Sequence, residues 1–235
     1  RKRALFPADA NPPFILGFEG VGQVVKVGTD VIGVHVGQSV GYLVPRGAFA
    51  EFIALKASLA FRKPESVAAE TLAASCCIGL PAIGLLDSVD DAMSKTILVH
   101  GGTGSVGSTL LQIGQATGLK MLATVSTASD MDALSKPIGG LYSLEDGDFA
   151  DGVLDQTGGQ GVEVIFDCLG HAVLSGNMRA IRPHGTIFYY GSASGHASFP
   201  GAEVLMRSLR IQGFVVFDCA ADVGKWERMK RQFTA

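Results

Sequence analysis

The sequence predicts an α/β fold built on a doubly wound parallel sheet. Residues 97–107 read Ile-Leu-Val-His-Gly-Gly-Thr-Gly-Ser-Val-Gly: a short apolar run, then a glycine turn, then the first residues of a helical period. From residue 95 onward, apolar runs alternate with helical segments. The 31 glycines, about twice the usual share, stand at the turns between apolar runs and follow no repeat period.

Taken in chain order, residues 1–62 read as β-rich. A glycine-bounded strand covers 20–28, and runs at 34–44 and 48–55 suggest two more, separated by Pro45-Arg46-Gly47. Pro64-Glu65 opens a helical zone, with an Ala-rich helix over 66–77 and a second over 79–88. Strands then follow at 96–100, 120–125, 141–144, 162–167, 185–190 and 209–216. Helices fall at 105–117, 129–137, 148–157, 172–181 and 199–207. Val162-Glu163-Val164-Ile165-Phe166 and Gly185-Thr186-Ile187-Phe188-Tyr189-Tyr190 are apolar enough to be buried on both faces, as parallel strands are. The tail 220–233 sets Val223, Trp226 and Met229 near one face, which suits a packing helix. The shift from β-rich to alternating pattern puts one domain at 1–62 and another at 63–235.

Gly102-Thr103-Gly104-Ser105-Val106-Gly107 has G-x-G-x-x-G spacing between a strand and a helix, the phosphate-binding start of a Rossmann unit. Gly102 allows the tight turn, Gly104 lets the backbone approach a pyrophosphate, and Gly107 lets helix and strand pack closely. Ser105 and Val106 open the helix, whose N-terminus offers free N–H groups and a positive dipole end. Ligands of such sheets sit beyond the carboxyl ends of the strands. Small or polar residues stand at two more of those ends: Asp167-Cys168-Leu169-Gly170 and Tyr190-Gly191-Ser192. Cys168, Gly170, Tyr190, Gly191 and Ser192 are therefore expected to line the dinucleotide. The second strand ends Thr124-Val125-Ser126-Thr127, with no acid where an NAD-selective site carries one. Ser126 and Thr127 can hydrogen-bond a 2′-phosphate, which favours NADPH. Asp130 and Asp132 argue the other way unless they point to solvent, and Lys136 is the nearest cation.

Composition narrows the function classes. A net charge of −3 gives no basis for a nucleic-acid partner. No window holds about 18 uninterrupted apolar residues, so no membrane span is expected. Cys76, Cys77, Cys168 and Cys219 show no metal-ligand spacing and read as buried reduced thiols, which fits an intracellular, cytoplasmic protein. His35, His100, His171, His184 and His196 are scattered singly, so no metal site can be assembled. The chain starts Arg1-Lys2-Arg3 and ends Gln232-Phe233-Thr234-Ala235, which reads as a fragment.

Gly17-Phe18-Glu19-Gly20-Val21-Gly22, Val36-Gly37-Gln38-Ser39-Val40, Gly47-Ala48-Phe49-Ala50-Glu51-Phe52 and Gly158-Gly159-Gln160-Gly161-Val162 with Asp167 and Gly170 occur in one order along nearly the whole chain. In this the sequence resembles the zinc-independent medium-chain dehydrogenase/reductases, in the quinone oxidoreductase and enoyl or alkenal reductase branch. Asn11-Pro12-Pro13-Phe14 and Ile211-Gln212-Gly213-Phe214 look most like the prostaglandin reductase 3 group. The resemblance implies a GroES-like β-rich catalytic domain, incomplete here, and a Rossmann domain binding NADP, with the active site in the cleft between them. It further implies a small-molecule substrate and a homodimer paired through the sheet edge. Zinc enzymes of this kind place a His where Phe18 stands, and a phenyl ring cannot ligate zinc.

The activity so implied is hydride transfer from NADPH to an α,β-unsaturated carbonyl: an enone, an alkenal or a 15-keto-prostaglandin. An NADPH quinone oxidoreductase would use the same chemistry, and the residues do not separate the two. No residue is assigned a catalytic role. Departures from the family pattern keep a third reading open, an NADP-binding scaffold with little catalysis. Pro81 replaces a Thr, Cys219 stands near where a Tyr is common, and residues near Asp130-Met131 and Leu144 replace a Lys and a Tyr that many relatives use for the 2′-phosphate.

Overall fold

The computed structural model describes residues 13–134 and 139–235. The chain divides into two compact units, one running through Leu80 and including Phe217–Ala235, the other Pro81–Val216.

In the first unit, β1 (Glu19–Gln23), β2 (Ser39–Leu43) and β3 (Ala60–Arg62) form an antiparallel sheet in that order. Val21 pairs with Gly41, and Tyr42 with both Gly20 and Ala60. A Cβ on Gly41 would lie 2.5 Å from the Phe61 ring, so glycine there is what lets the aromatic cross the strand. The expected strand at 48–55 is a run of turns instead. Gly47 takes φ +97°, and Gly47, Ala48 and Phe49 donate to the carbonyls of Ile15, Gly17 and Leu16 without forming a ladder. The third strand lies further on, at Ala60–Arg62, too short to show alternation.

The two helices expected over 66–88 are one helix, α1 (Ala69–Leu86), with Pro81 inside it. Its 18 residues have a mean hydropathy of 1.6, long and apolar enough to cross a bilayer. Nearly half of it is buried within the protein, Cys76, Leu80, Ala82 and Leu85 completely. The division between the units falls in this helix, between Leu80 and Pro81.

The tail departs from the expected boundary at 62/63. Helix α6 (Val223–Thr234) is capped by Asp222, whose carboxylate accepts the N–H of Lys225 at 2.9 Å. It belongs with the first unit because its contacts are there. Trp226 Nε1 donates to the Ser58 carbonyl at 2.8 Å, Lys230 Nζ reaches the carbonyls of Ser58 and Ala60, and the Phe233 ring meets Phe61 edge-on at 5.6 Å. Trp226 and Met229 are buried as the amphipathic reading expects, whereas Val223 is exposed.

The second unit holds six parallel strands: β4 (Thr96–Val99), β5 (Lys120–Val125), β6 (Leu141–Ser143), β7 (Val162–Asp167), β8 (Ile181–Tyr189) and β9 (Arg210–Gly213). Their order in the sheet is β6-β5-β4-β7-β8-β9, and the register aligns Leu98 with Leu122 and Ile165, and Ile187 with Ile165 and Ile211. Successive residues of a strand face opposite sides. Ile97, Leu98 and Val99 are all fully buried, so both faces of β4 are covered, as in a doubly wound sheet. The crossovers carry α2 (Ser105–Thr117), α3 (Phe149–Gln156), α4 (Leu174–Ala180) and α5 (Gly201–Met206). On one side, Phe149, Val153, Val173 and Met178 pack on Leu98, Leu122, Ile165 and Ile187. Of the helix expected over 129–137, the described part forms a 3₁₀ turn over Ala128–Met131, and residues 135–137, Lys136 among them, lie outside the described residues. Strand β8 starts four residues earlier than expected, at Ile181, with an irregular step in its pairing to β7.

Strand order reverses between β4 and β7: the chain runs outward from β4 to β5 and β6, then returns to β7 on the other side. The carboxyl ends of β4 and β7 therefore open side by side, and such a switch point is where open α/β sheets bind ligands.

Candidate dinucleotide site

The turn after β4 is built by backbone. Gly101 takes φ +68°, a left-handed conformation that glycine adopts without strain. Gly102 donates to the Thr124 carbonyl at 2.8 Å and ties the turn to the end of β5, while Gly104 donates to the Gly101 carbonyl at 2.8 Å. Gly104 then caps α2 in an extended conformation, and no side chain caps the helix. The first N–H groups of α2 have no acceptor within the helix, which leaves them for an anion. A Cβ on Gly107 would lie 2.1 Å from the Gly101 oxygen, the tightest fit in the turn. A Cβ on Gly104 would lie 3.1 Å from the same oxygen. The three motif glycines thus occupy the positions their spacing implies, and Gly101, outside the motif, makes the left-handed step.

The ends of β7 and β8 approach each other backbone to backbone. Tyr190 donates to the Asp167 carbonyl at 2.9 Å, Ala193 to Cys168 at 3.1 Å and Ser194 to Leu169 at 2.9 Å. A side chain on Gly191 would meet the Cys168 carbonyl at 2.7 Å, and Gly170, at φ +84°, leaves only 2.3 Å to the Gly195 carbonyl. Cys168, Gly170, Tyr190, Gly191 and Ser192 are therefore brought together with Gly101, whose Cβ would lie 3.0 Å from the Cys168 sulfur. The Cys168 thiol donates to the His100 carbonyl at 3.3 Å, and burial pushes its pKa up. The Tyr190 hydroxyl is buried beside the Cys168 thiol and, among the described residues, makes no hydrogen bond of good geometry. Burial, then the neighbouring Cys168 thiol and Asp167 carboxylate, hold it protonated far above the ordinary range.

At the end of β5, Ser126 is exposed. Thr127 is engaged: its hydroxyl accepts the Asp130 N–H at 3.2 Å and pairs with Ser129 Oγ at 2.9 Å, and its own N–H donates to the Asp130 carboxylate at 3.0 Å. This is a capping box on the 3₁₀ turn. It commits the Thr127 hydroxyl locally and turns the Asp130 carboxylate back toward the strand end. Leu144, on the neighbouring strand end, donates its N–H to Val125 at 3.0 Å and packs its side chain on the core.

Beneath these ends lies a polar network whose signal in the sequence was a lone His before the glycine turn. His100 is fully buried, with Nδ1 2.8 Å from Thr124 Oγ1 and Nε2 2.6 Å from Asn177 Oδ1. Asn177 Nδ2 donates to one oxygen of Asp167 at 3.1 Å, and the N–H groups of Leu169 and Gly170 donate to the other at 2.8 Å each. Burial pulls the His100 pKa down and keeps the ring neutral. A neutral ring satisfies every contact: Nε2–H donates to Asn177, and Nδ1 accepts from Thr124. The carboxylate of Asp167, pushed up by the same burial, sits in a cradle of three N–H donors. The network joins the ends of β4, β5 and β7 to α4 and fixes the turn that carries Cys168 and Gly170.

A cavity of about 430 Å³ lined by Thr96, Lys120, Gly161, Glu163 and Arg182 lies at the opposite, amino ends of the strands. Its carboxylate is engaged structurally, Glu163 accepting the Thr96 N–H at 2.8 Å and pairing with Arg182, so the carboxyl-end crevice is the functional candidate.

The crevice suits a dinucleotide, and the residues around Phe18 do not suit zinc. For a dinucleotide, the uncapped start of α2 and the side-chain-free approaches at Gly101, Gly107, Gly170 and Gly191 fit. For zinc, the residues do not fit. The Phe18 ring packs toward Phe217, 6.1 Å between centroids, and among the described residues no three His, Cys, Asp or Glu side chains gather into a metal-holding group. Glu19 of the same motif serves structure, accepting the N–H of Cys77 on α1.

Comparison with known proteins agrees with this architecture. The zinc-binding dehydrogenase family matches residues 105–233, and the alcohol dehydrogenase GroES-like domain matches 3–65. A probable quinone oxidoreductase of Schizosaccharomyces pombe is 32% identical over 185 residues, which is 78% of this chain and 56% of that protein. Prostaglandin reductase-3 of Bos taurus is 29% identical over 225 residues, 89% of this chain and 58% of its own length. The chain thus spans just over half the length of these curated relatives. A mycobacterial protein solved with NADPH superposes with a TM-score of 0.83 at 28% identity, covering 96% of this chain and 72% of that one. The chain belongs to the medium-chain dehydrogenase/reductase family, in the branch of the quinone oxidoreductases and prostaglandin reductase-3.

Proposed function

We propose that the protein carrying this chain is a reductase that uses NADPH to reduce an α,β-unsaturated carbonyl without a metal. The observation that carries the reading is the crevice at the β4/β7 switch point, where an uncapped helix start and three glycine-lined strand ends converge. When bound, the nicotinamide supplies a hydride to an electron-poor carbon. Residues 104–107 would take the pyrophosphate on backbone N–H groups, and the 168–170 and 190–192 ends would receive the flat nicotinamide half. Charge that develops on a conjugated oxygen needs only oriented donors, because it is spread before it is protonated. An alcohol substrate would need a Lewis acid at its oxygen, and the residues around Phe18 do not provide one.

A quinone acceptor is the second reading, favoured by the probable quinone oxidoreductase among the relatives. The two are separated by following NADPH oxidation by the whole protein against an enone, a 15-keto-prostaglandin and a quinone. Faster turnover with the enone or the keto-prostaglandin is expected. Turnover with the quinone alone would select the second reading, and tight binding with no turnover on any acceptor would refute both.

A further inference from the structure

We propose that Asn177 is a positioning residue for hydride transfer: through His100 and Asp167 it holds the pyrophosphate turn and the nicotinamide turn of the crevice in one fixed frame. It is fully buried and acts only through those two side chains. The proposal rests on the dinucleotide reading above and deepens it, because it names what sets the geometry of that site.

The hydrogen bonds that start from Asn177 end at the crevice. Its side chain, on α4, bonds His100 Nε2 at 2.6 Å and Asp167 Oδ2 at 3.1 Å. His100 is the residue before Gly101, and its backbone N–H carries the β4–β7 pairing one step further, to the Phe166 carbonyl at 3.0 Å. Its ring reaches Thr124, whose carbonyl holds the Gly102 N–H. Asp167 holds the N–H groups of Leu169 and Gly170 on Oδ1 and, through its carbonyl, the N–H of Tyr190. One amide side chain thus stands between the turn after β4 and the ends of β7 and β8. Hydrogen bonds fix direction as well as distance, and apolar contacts are non-directional.

The backbone so held is unusual. Gly170 stands at φ +84°, ψ −112°, outside the regions that residues with a side chain adopt. A turn in such a region keeps its shape when its surroundings over-determine it, and the Asp167 carboxylate does this from beneath, itself held by Asn177. Polar burial is also placed where the crevice is. The sheet interior beside it is apolar, with Leu98, Ile165, Phe166 and Ile187 fully buried, whereas His100, Thr124, Asp167 and Asn177 are buried just as completely under the strand ends. Burying four polar side chains costs free energy that an apolar cluster of the same shape avoids. Orientation, rather than cohesion, is what the hydrogen bonds add there.

The test compares the whole wild-type protein with Asn177→Leu and Asn177→Asp, each at a temperature where it is folded. NADPH affinity is read by calorimetry, and amide exchange at Leu169 and Gly170 without the dinucleotide. The single-turnover rate of hydride transfer is read with whichever of an enone, a 15-keto-prostaglandin and a quinone wild type reduces fastest. Asn177→Leu fills the space and joins nothing. It is expected to speed exchange at Leu169 and Gly170 and to slow hydride transfer by about tenfold or more. NADPH affinity, supplied largely by the N–H groups of α2, should change far less. In Asn177→Asp the new carboxyl, while protonated, accepts from His100 and donates to Asp167 and so restores the bridge. Once ionised it cannot donate, and the link to Asp167 is lost. Two carboxyl groups in contact share one proton and hold it to higher pH than one alone. Hydride transfer by Asn177→Asp should therefore approach the wild-type rate at low pH and fall below it by about tenfold or more as pH rises, a step that lost packing alone would not produce. If Asn177→Leu does not fold, that pH step decides. Unchanged exchange or a wild-type rate in Asn177→Leu, a rate that falls no further than affinity, or an Asn177→Asp rate in constant ratio to wild type at every pH would overturn the proposal. Failure of folded wild type to bind NADPH, or to transfer hydride to any acceptor, would instead overturn the reading on which it rests.

Discussion

At Gly107 a single methyl group has nowhere to go, because its carbon would stand 2.1 Å from the Gly101 carbonyl oxygen. Gly107→Ala must push α2 away from the turn. We expect a loss of about 1–3 kcal/mol in stability and a much weaker dinucleotide affinity, whereas Gly104→Ala, with 3.1 Å to the same atom, keeps the fold. Thermal unfolding with NADPH titration of both variants checks the contrast. Asn177 is the other residue on which much depends, since it bridges His100 and Asp167 in a dry interior. Asn177→Leu strands a ring N–H and a carboxylate oxygen together and is expected to cost about 3 kcal/mol or more. Thr124→Val removes one donor and should cost about 1 kcal/mol; denaturant midpoints of the two variants give the comparison. The glycine motif was legible in the sequence because its requirement is backbone geometry at fixed local spacing. The His100–Asn177 contact was not, because 77 residues separate its partners and only the β4–β7–α4 arrangement joins them.

At the scale of elements, the strands of the alternating half are legible because short apolar runs bounded by glycine turns recur between helical segments. The structure departs from the sequence pattern where local pattern and long-range contact disagree. Ala60–Arg62 is too short for a period, and its place is set by pairing with Val40–Tyr42. The sequence reads as two helices, at 66–77 and 79–88, yet one helix, α1, runs across the gap and carries Pro81 inside it. The amphipathic pattern of α6 marks a packing helix, but its partners Ser58, Ala60 and Phe61 lie about 170 residues away in sequence, beyond the reach of any local pattern. Trp226→Ala should therefore destabilise the first unit by about 3–5 kcal/mol. Val223→Ala, at an exposed position of the same helix, should stay within about 0.5 kcal/mol of wild type. Urea unfolding followed by circular dichroism separates the two. Equal effects from both substitutions would contradict the packing described for α6.

For the molecule as a whole, several buried acids of high pKa act in one direction with pH. Burial pushes the Cys76 thiol from an ordinary 9.0 up to about 12, and it raises Cys77, Cys168, Tyr42 and Tyr142 as well. A group whose pKa is higher folded than unfolded stabilises fully below its unfolded value and loses that contribution as pH rises toward the folded one. The thermal midpoint should hold to about pH 9 and fall from there toward pH 12, and a midpoint flat across that range would contradict the burial of these groups. On the function proposed above, the carboxyl ends of β4, β7 and β8 hold a nicotinamide dinucleotide. Amide hydrogen exchange on the whole protein, with and without the dinucleotide, tests it most directly. Slowed exchange is expected at 104–107, 168–170 and 190–192, with no slowing around Lys120 and Arg182 at the opposite ends of the strands. Binding that leaves those three segments unprotected, or that protects the Lys120 and Arg182 side instead, would contradict it.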